Sequence, residues 1–218
     1  MTLAAGSGAG SLVAGGRVAG LDPEELAARF GTPLFVYDLD TVTARIQALR
    51  AALPPSFDLA FAVKANPLLA ILEHVRGLGV GADVASAGEL RHALRAGFDP
   101  SRVVVTGPGK DDTLLSAAVD AGVRAVTLES RGELRRLAAI AEAAGRVQPV
   151  LLRLSVGDGS AERRRIIGDE GAGKFGMDER DLREGAAEAA GSPWLEPLGI
   201  HAFGASNVLD AGRLLDHV

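Results

Sequence analysis

The heptapeptide FAVKANP, residues 61–67, puts a lysine into a run that otherwise reads as a buried strand. Of 23 basic residues only three are lysines: Lys64, Lys110 and Lys174. An amine in a partly desolvated mouth has its pKa pushed down. The neutral amine is then a nucleophile able to form a Schiff base with an aldehyde. Lys110 follows GPG and precedes two aspartates, and Lys174 lies in the glycine-rich GAGKFGM, so both read as loop lysines. Lys64 alone reads as anchored on a strand. The plain alternative is a strand-end lysine that keeps its ammonium in water. Against it stand polar residues at corresponding places further along: Asp83, Thr106, Glu129, Arg153 and His201.

These residues need a scaffold that presents one strand end after another. After Pro23 the chain supplies it. The segments DLAFAVKA, VGADVAS, RVVVTG, RAVTLES, PVLLRLS and LGIHAFG read as strands, separated by helical stretches such as PLLAILEHVRGLG and RGELRRLAAIAEAAG. PLFVYD also reads as β-rich, and EELAARFG as a short helix ended by Gly31. Alternating strands and helices imply βαβ units and a parallel sheet. From Lys64 to Arg153 the strand-end residues are spaced by 19, 23, 23 and 24 positions, and His201 follows after 48. Such even repeats suit a TIM (β/α)8-type barrel.

Alternation within each strand separates two faces. Leu59, Phe61 and Val63 oppose Asp58, Ala60, Ala62 and Lys64; Leu198, Ile200 and Ala202 oppose Gly199, His201 and Phe203. The bulky apolar face is expected to pack on surrounding helices. The small-residue face carries a polar group near its C-terminal end, where barrel enzymes place their chemistry. Six barrel strands are expected, against eight in a closed barrel, so the α/β fold is read as a partial barrel. Residues 1–22 are read as a flexible Gly/Ala-rich leader and 23–218 as the barrel portion.

Composition narrows the function classes. The net charge of -5 disfavours a nucleic-acid surface. No apolar run approaches about 18 residues, so no membrane span is expected. The absence of cysteine removes disulfides and thiolate metal sites and fits a cytoplasmic setting. No metal is expected.

The motifs GTPLFVYDLDTV, FAVKANP, GADVASAGEL, TGPGK, KFGM and GIHAFGAS occur in an order that resembles the fold-type III pyridoxal-phosphate decarboxylases, the family of diaminopimelate, ornithine and arginine decarboxylases. The resemblance implies an amino-acid decarboxylase with pyridoxal 5'-phosphate as cofactor, active as a homodimer in its full-length form, and a second, β-rich domain of the family that this partial barrel lacks. By it, Lys64 matches the lysine that forms the Schiff base. Asp83, Ser86 and Glu89 match a D-x-x-S-x-x-E pattern beside the cofactor. Arg153 matches an arginine near the cofactor ring, and Ser206 a serine that contacts the phosphate. His201 and Phe203 fall in the family's G-L-H-x-H-x-G-S stretch, where the second histidine stacks on the ring. Here Phe203 replaces it, which leaves stacking possible but removes a proton carrier. That departure points to a divergent branch, acting on an amino acid that includes carrier-bound forms. For Glu89 the plain alternative is a helix-start carboxylate. For Ser206 it is an N-cap, which is compatible with phosphate binding.

Three other readings stay open: a racemase or cofactor-carrier protein on the same barrel, a non-catalytic homologue that regulates a decarboxylase, and a phosphate-ester barrel enzyme with no cofactor.

Overall fold

The computed structural model describes residues 13–14, 16–155 and 175–203. The chain enters through a two-residue hairpin, β1 (Val13–Ala14) against β2 (Arg17–Val18), within the stretch read as a leader. Helix α1 (Pro23–Phe30) follows, capped by Asp22 and closed by Gly31 at φ 81°. Helix α2 (Leu39–Ala52) starts at Asp38, whose carboxylate accepts from the Asp40 amide.

The main sheet then forms from six parallel strands in strict chain order: β3 (Ala60–Ala62), β4 (Gly81–Val84), β5 (Val103–Val105), β6 (Ala125–Leu128), β7 (Gln148–Leu154) and β8 (Leu195–Ala202). Helices α3 (Leu69–Gly77), α4 (Ala87–Arg95), α5 (Asp112–Ala121), α6 (Arg131–Ala144) and α7 (Glu179–Gly191) fill the successive crossovers. Five βα crossovers in strict order give the expected partial (β/α) barrel. The core lies between the sheet's outer face and this helix layer. Val84, Val103, Val105, Val126 and Leu128 meet Leu72, Leu90, Leu114, Leu115, Leu134 and Leu137, all buried. Each such side chain contributes about 1.5–3 kcal/mol on burial.

The helices begin where short polar side chains can satisfy unpaired amides. Ser86 caps α4, Asp111 caps α5, Ser130 caps α6 and Asp178 caps α7. Helices α5 and α6 end in left-handed Gly122 and Gly145.

Four expectations change. DLAFAVKA contributes only three strand residues, because Val63–Ala65 turn into a single 3-10 turn before Pro67. Lys64 therefore sits in the turn after the strand rather than on it. PLFVYD forms no strand: it pairs with no other strand among the described residues, its last carbonyl, that of Asp38, accepts from the Val42 amide at the start of α2, and Phe35 and Tyr37 are left exposed. The strand in LGIHAFG begins three residues earlier, at Leu195, and a register shift at Val150/Leu151 accommodates it beside β7. Finally, the outer face of β8 is covered only at its start: Leu195 is buried in the core with Ala189 of α7, whereas Leu198 and Ile200 are exposed. Elsewhere the alternation holds, and within the turn after β3 Val63 is fully buried while Lys64 is exposed.

Candidate active site

The inward face of the sheet carries Ala60 and Ala62 on β3, Asp83 on β4, Val104 on β5, Thr127 on β6, Leu151 and Arg153 on β7, and Gly199 and His201 on β8. Registers confirm that these belong to shared rows: Ala62 pairs with Asp83, Asp83 with Val104, Thr127 with Leu151, Leu151 with Gly199, and Arg153 with His201. The polar residues Lys64, Asp83, Thr106, Glu129, Arg153 and His201 lie at or just beyond the C-terminal ends of these strands.

Lys64 is exposed, which corrects the expectation of a partly desolvated amine. Its strand, β3, lies at the edge of the described sheet and pairs only with β4. Among the described residues no wall therefore stands on its other side to exclude water. The turn that holds it is fixed by the Asn66 amide, which donates to the Val63 carbonyl at 3.1 Å. The Asn66 side chain in turn accepts from the Leu68 amide at 3.1 Å.

Asp83 accepts from the Thr106 hydroxyl at 2.6 Å, which ties the ends of β4 and β5. Ser86 and Glu89 form a reciprocal clamp at the start of α4. The Glu89 amide donates to Ser86 Oγ at 3.2 Å, and the Glu89 carboxylate accepts from the Ala85 amide at 2.8 Å.

Arg153 is buried and donates to Glu129 Oε1 at 2.8 Å. The other oxygen of Glu129 accepts from the Gly176 amide at 2.7 Å. Gly176 has φ +76°, and a side chain there would lie 2.8 Å from the Ser155 nitrogen and 2.9 Å from the Arg153 carbonyl. Only glycine lets the KFGM segment approach β7 this closely. The Arg153 guanidinium also lies 4.7 Å from the Phe175 ring and 5.8 Å from the Phe203 ring. Phe203, half exposed, thus faces the arginine.

His201 is partly buried, and its Nδ1 is sealed from solvent without a hydrogen-bond partner among the described residues. Burial pushes its pKa down, the Arg153 charge pushes it further, and Glu129 and Asp83 oppose. The neutral ring therefore keeps a nitrogen available to a ligand. Thr127 Oγ1 is likewise buried without a partner among the described residues. Ser206 and Lys174 lie outside the described residues.

Lys110 lies in the loop just before α5, as its neighbours in sequence suggest, but its side chain turns inward rather than to water. Its side chain is fully buried and pairs with Glu133 at 3.1 Å. It also donates to the Gly107 carbonyl, folding the GPG loop back on itself. Burial drives the Lys110 pKa down and the Glu133 pKa up, and their mutual attraction opposes both shifts. Glu133 was reachable from sequence: SRGEL at 130–134 repeats SAGEL at 86–90. The structure repeats too, since the Glu133 amide donates to Ser130 Oγ at 3.2 Å and Glu133 accepts from the Glu129 amide at 2.8 Å.

The sequence model described as "Pyridoxal-dependent decarboxylase, pyridoxal binding domain" matches residues 39–218. The chain belongs to the pyridoxal-dependent decarboxylases. A diaminopimelate decarboxylase of Aquifex aeolicus is 35% identical over 193 residues, covering 88% of this chain and 46% of that protein. Among solved structures, diaminopimelate decarboxylase from Helicobacter pylori complexed with L-lysine is similar, with a TM-score of 0.77 at 29% identity over 89% of this chain and 50% of the other. Lysine decarboxylase from Selenomonas ruminantium gives 0.71 at 32% identity, covering 89% and 49%. The chain thus spans about half the length of these relatives. As a family member it carries the pyridoxal-binding portion, and its groups suit that cofactor. Lys64 offers an accessible primary amine, Arg153 a fixed guanidinium, and His201 a ring nitrogen with no partner among the described residues. No helix among the described residues is long and apolar enough to cross a membrane.

Proposed function

We propose that this chain is the cofactor-binding half of a pyridoxal phosphate-dependent amino-acid decarboxylase resembling diaminopimelate decarboxylase, with Lys64 as the covalent attachment point. The observation that carries this reading is the array of Lys64, Asp83, Arg153 and His201 at the C-terminal ends of strands in one parallel sheet, on the side where barrel chemistry occurs. Bound pyridoxal phosphate supplies an electron sink for the bond to the departing carboxylate. The protein's own groups do the rest. Lys64 would hold the cofactor through its exposed amine. Arg153, held by Glu129, presents fixed positive charge. His201, neutral near pH 7, has a nitrogen to accept or relay a proton. Asp83, Ser86, Glu89, Phe203 and Ser206 complete the proposed cofactor site.

Residues 23–218 are read as the barrel portion and 1–22 as a leader. The full-length protein is read as a cytoplasmic homodimer. The relatives' names favour a diamino acid as substrate, and the lysine bound in the Helicobacter pylori enzyme has the two amines that such a substrate carries.

Borohydride reduction in the presence of pyridoxal phosphate, followed by peptide mapping, tests the attachment. Label on Lys64 is expected. Absence of label, or label confined to Lys110 or Lys174, overturns the reading. Carbon dioxide release from diaminopimelate, lysine, ornithine and arginine then tests the activity. One observation favours a second reading: Phe203 stands where the family carries a histidine. A labelled Lys64 with no carbon dioxide release from the intact protein would indicate a carrier or regulatory homologue instead.

A further inference from the structure

Four ionisable side chains sit together near the C-terminal end of the sheet: Lys110, Glu133, Glu129 and Arg153, all buried. Their signs balance, two positive and two negative. They come from four consecutive stretches: the loop after β5, the start of α6, the end of β6, and β7. Glu129 occupies the junction. Its carboxylate takes the Arg153 guanidinium on one oxygen and the Gly176 amide on the other, at 2.8 and 2.7 Å. Its own amide is held by Glu133 at 2.8 Å, and Glu133 is in turn paired with Lys110. The strand end that carries Glu129 is therefore fixed through its backbone as well as its side chain.

A guanidinium can swing on a long stem, and rotamer freedom is costly to remove. What removes it here is a charge-assisted hydrogen bond from a carboxylate that is itself immobile. The two phenyl rings at 4.7 and 5.8 Å add a weaker hold on the same group. We propose that Glu129 is a positioning residue: it fixes the Arg153 guanidinium beside His201 at the mouth of the sheet, and the Lys110–Glu133 pair braces Glu129 from behind. That Arg153 faces pyridoxal phosphate rests on the proposed function. That Glu129 holds it there does not.

His201 supplies a reporter that needs no cofactor. The groups acting on its ring are Arg153 and Lys110, which lower its pKa, and Glu129 and Asp83, which raise it, with Arg153 the strongest of the four. The His201 imidazole is followed by NMR titration of the intact, cofactor-free protein and assigned by its absence in His201→Asn. If Glu129 holds the arginine, Glu129→Gln frees it, both influences vanish, and the His201 pKa rises, because the lost lowering influence of Arg153 is the larger of the two. It then matches that of Glu129→Gln/Arg153→Met. If Arg153 stays in place without Glu129, only the raising influence is lost. The pKa then falls below that of the double variant, and the proposal is overturned.

Should Glu129→Gln prove too unstable to titrate, urea unfolding decides. A double variant more stable than Glu129→Gln marks the single variant's defect as an unpaired buried guanidinium and supports the pairing. A double variant no more stable overturns it. In the cofactor-loaded protein, Glu129→Gln is expected to weaken pyridoxal phosphate binding about tenfold, the range for losing one orienting charged contact. If the unaltered protein binds no pyridoxal phosphate, the functional reading fails, and the His201 titration still judges this one.

Discussion

Glu129 and Arg153 face each other across adjacent parallel strands at 2.8 Å, with both side chains buried. Such a pair adds little stability over apolar residues of the same volume, yet breaking it by removing one partner is costly. Its presence at the C-terminal end of the sheet thus says more about placing a charge than about holding the fold. The other site residues divide in the same way, between those that serve chemistry and those whose loss the fold would feel.

Lys64→Ala is expected to leave stability almost unchanged, because the side chain is exposed and makes no described contact that folding needs. Its urea midpoint should match that of the unaltered protein. Borohydride trapping should disappear, and decarboxylation in the intact protein should fall on the order of 10³ or more, as when a covalent nucleophile is removed. A marked drop in the midpoint would contradict the exposed placement.

Lys110→Met strands Glu133 in a buried site, at an expected cost of about 3–5 kcal/mol. Lys110→Met/Glu133→Gln removes both charges and should recover most of that loss. Equilibrium urea unfolding of the three proteins measures the difference. Equal destabilisation in both variants would mean that the ion pair is not the source.

His201 adds a pH dependence of known sign. Its folded-state pKa is lowered, first by burial and then by Arg153. As pH falls through about 6.5 the unfolded chain takes up a proton before the folded one does. Stability therefore declines with falling pH from about 6.5 down to the folded value, and is constant below it as far as this group is concerned. Thermal unfolding between pH 7 and pH 5 should show a smaller loss for His201→Gln than for the unaltered protein.

Gly176→Ala combines a left-handed backbone with a Cβ that would sit 2.8 Å from the Ser155 nitrogen. The expected cost is about 1–3 kcal/mol, with loss of the hydrogen bond to Glu129. Hydrogen exchange at the Gly176 amide should speed up in the variant if the segment lifts from β7; unchanged protection would sink this reading of KFGM.

Much of the architecture was legible because it is local. Regular spacing of strand-end polar residues from Lys64 to Arg153 gave five strands in series, with His201 marking a sixth, and alternation gave the inward face that carries Asp83, Arg153 and His201. The clamp of Ser86 and Glu89 follows from residues three apart. Lys64 was placed at the end of the correct strand but in the wrong conformation, since one 3-10 turn before Pro67 leaves no periodic trace in so short a run. Lys110 was read correctly as a loop lysine, but its burial was not legible, because its partner Glu133 is 23 positions away on α6 and no local pattern encodes that contact. Leu198 and Ile200 read as buried by their apolar character, but burial is decided by what packs against a strand, which the strand's own residues do not specify.

The twin clamps at Ser86/Glu89 and Ser130/Glu133 also bear on how the chain acquires its shape. Each closes within four residues, so it needs no strand pairing beforehand and spends little loop-closure entropy. Contacts this short in sequence favour rapid folding. A chain growing from its N-terminus can therefore set the first turn of α4 before β5 has been synthesised, and the first turn of α6 before β7. Each nascent helix start then waits as a ready-made joint at the point where the chain must double back toward the next strand, so the half-barrel can assemble in the order in which it is translated.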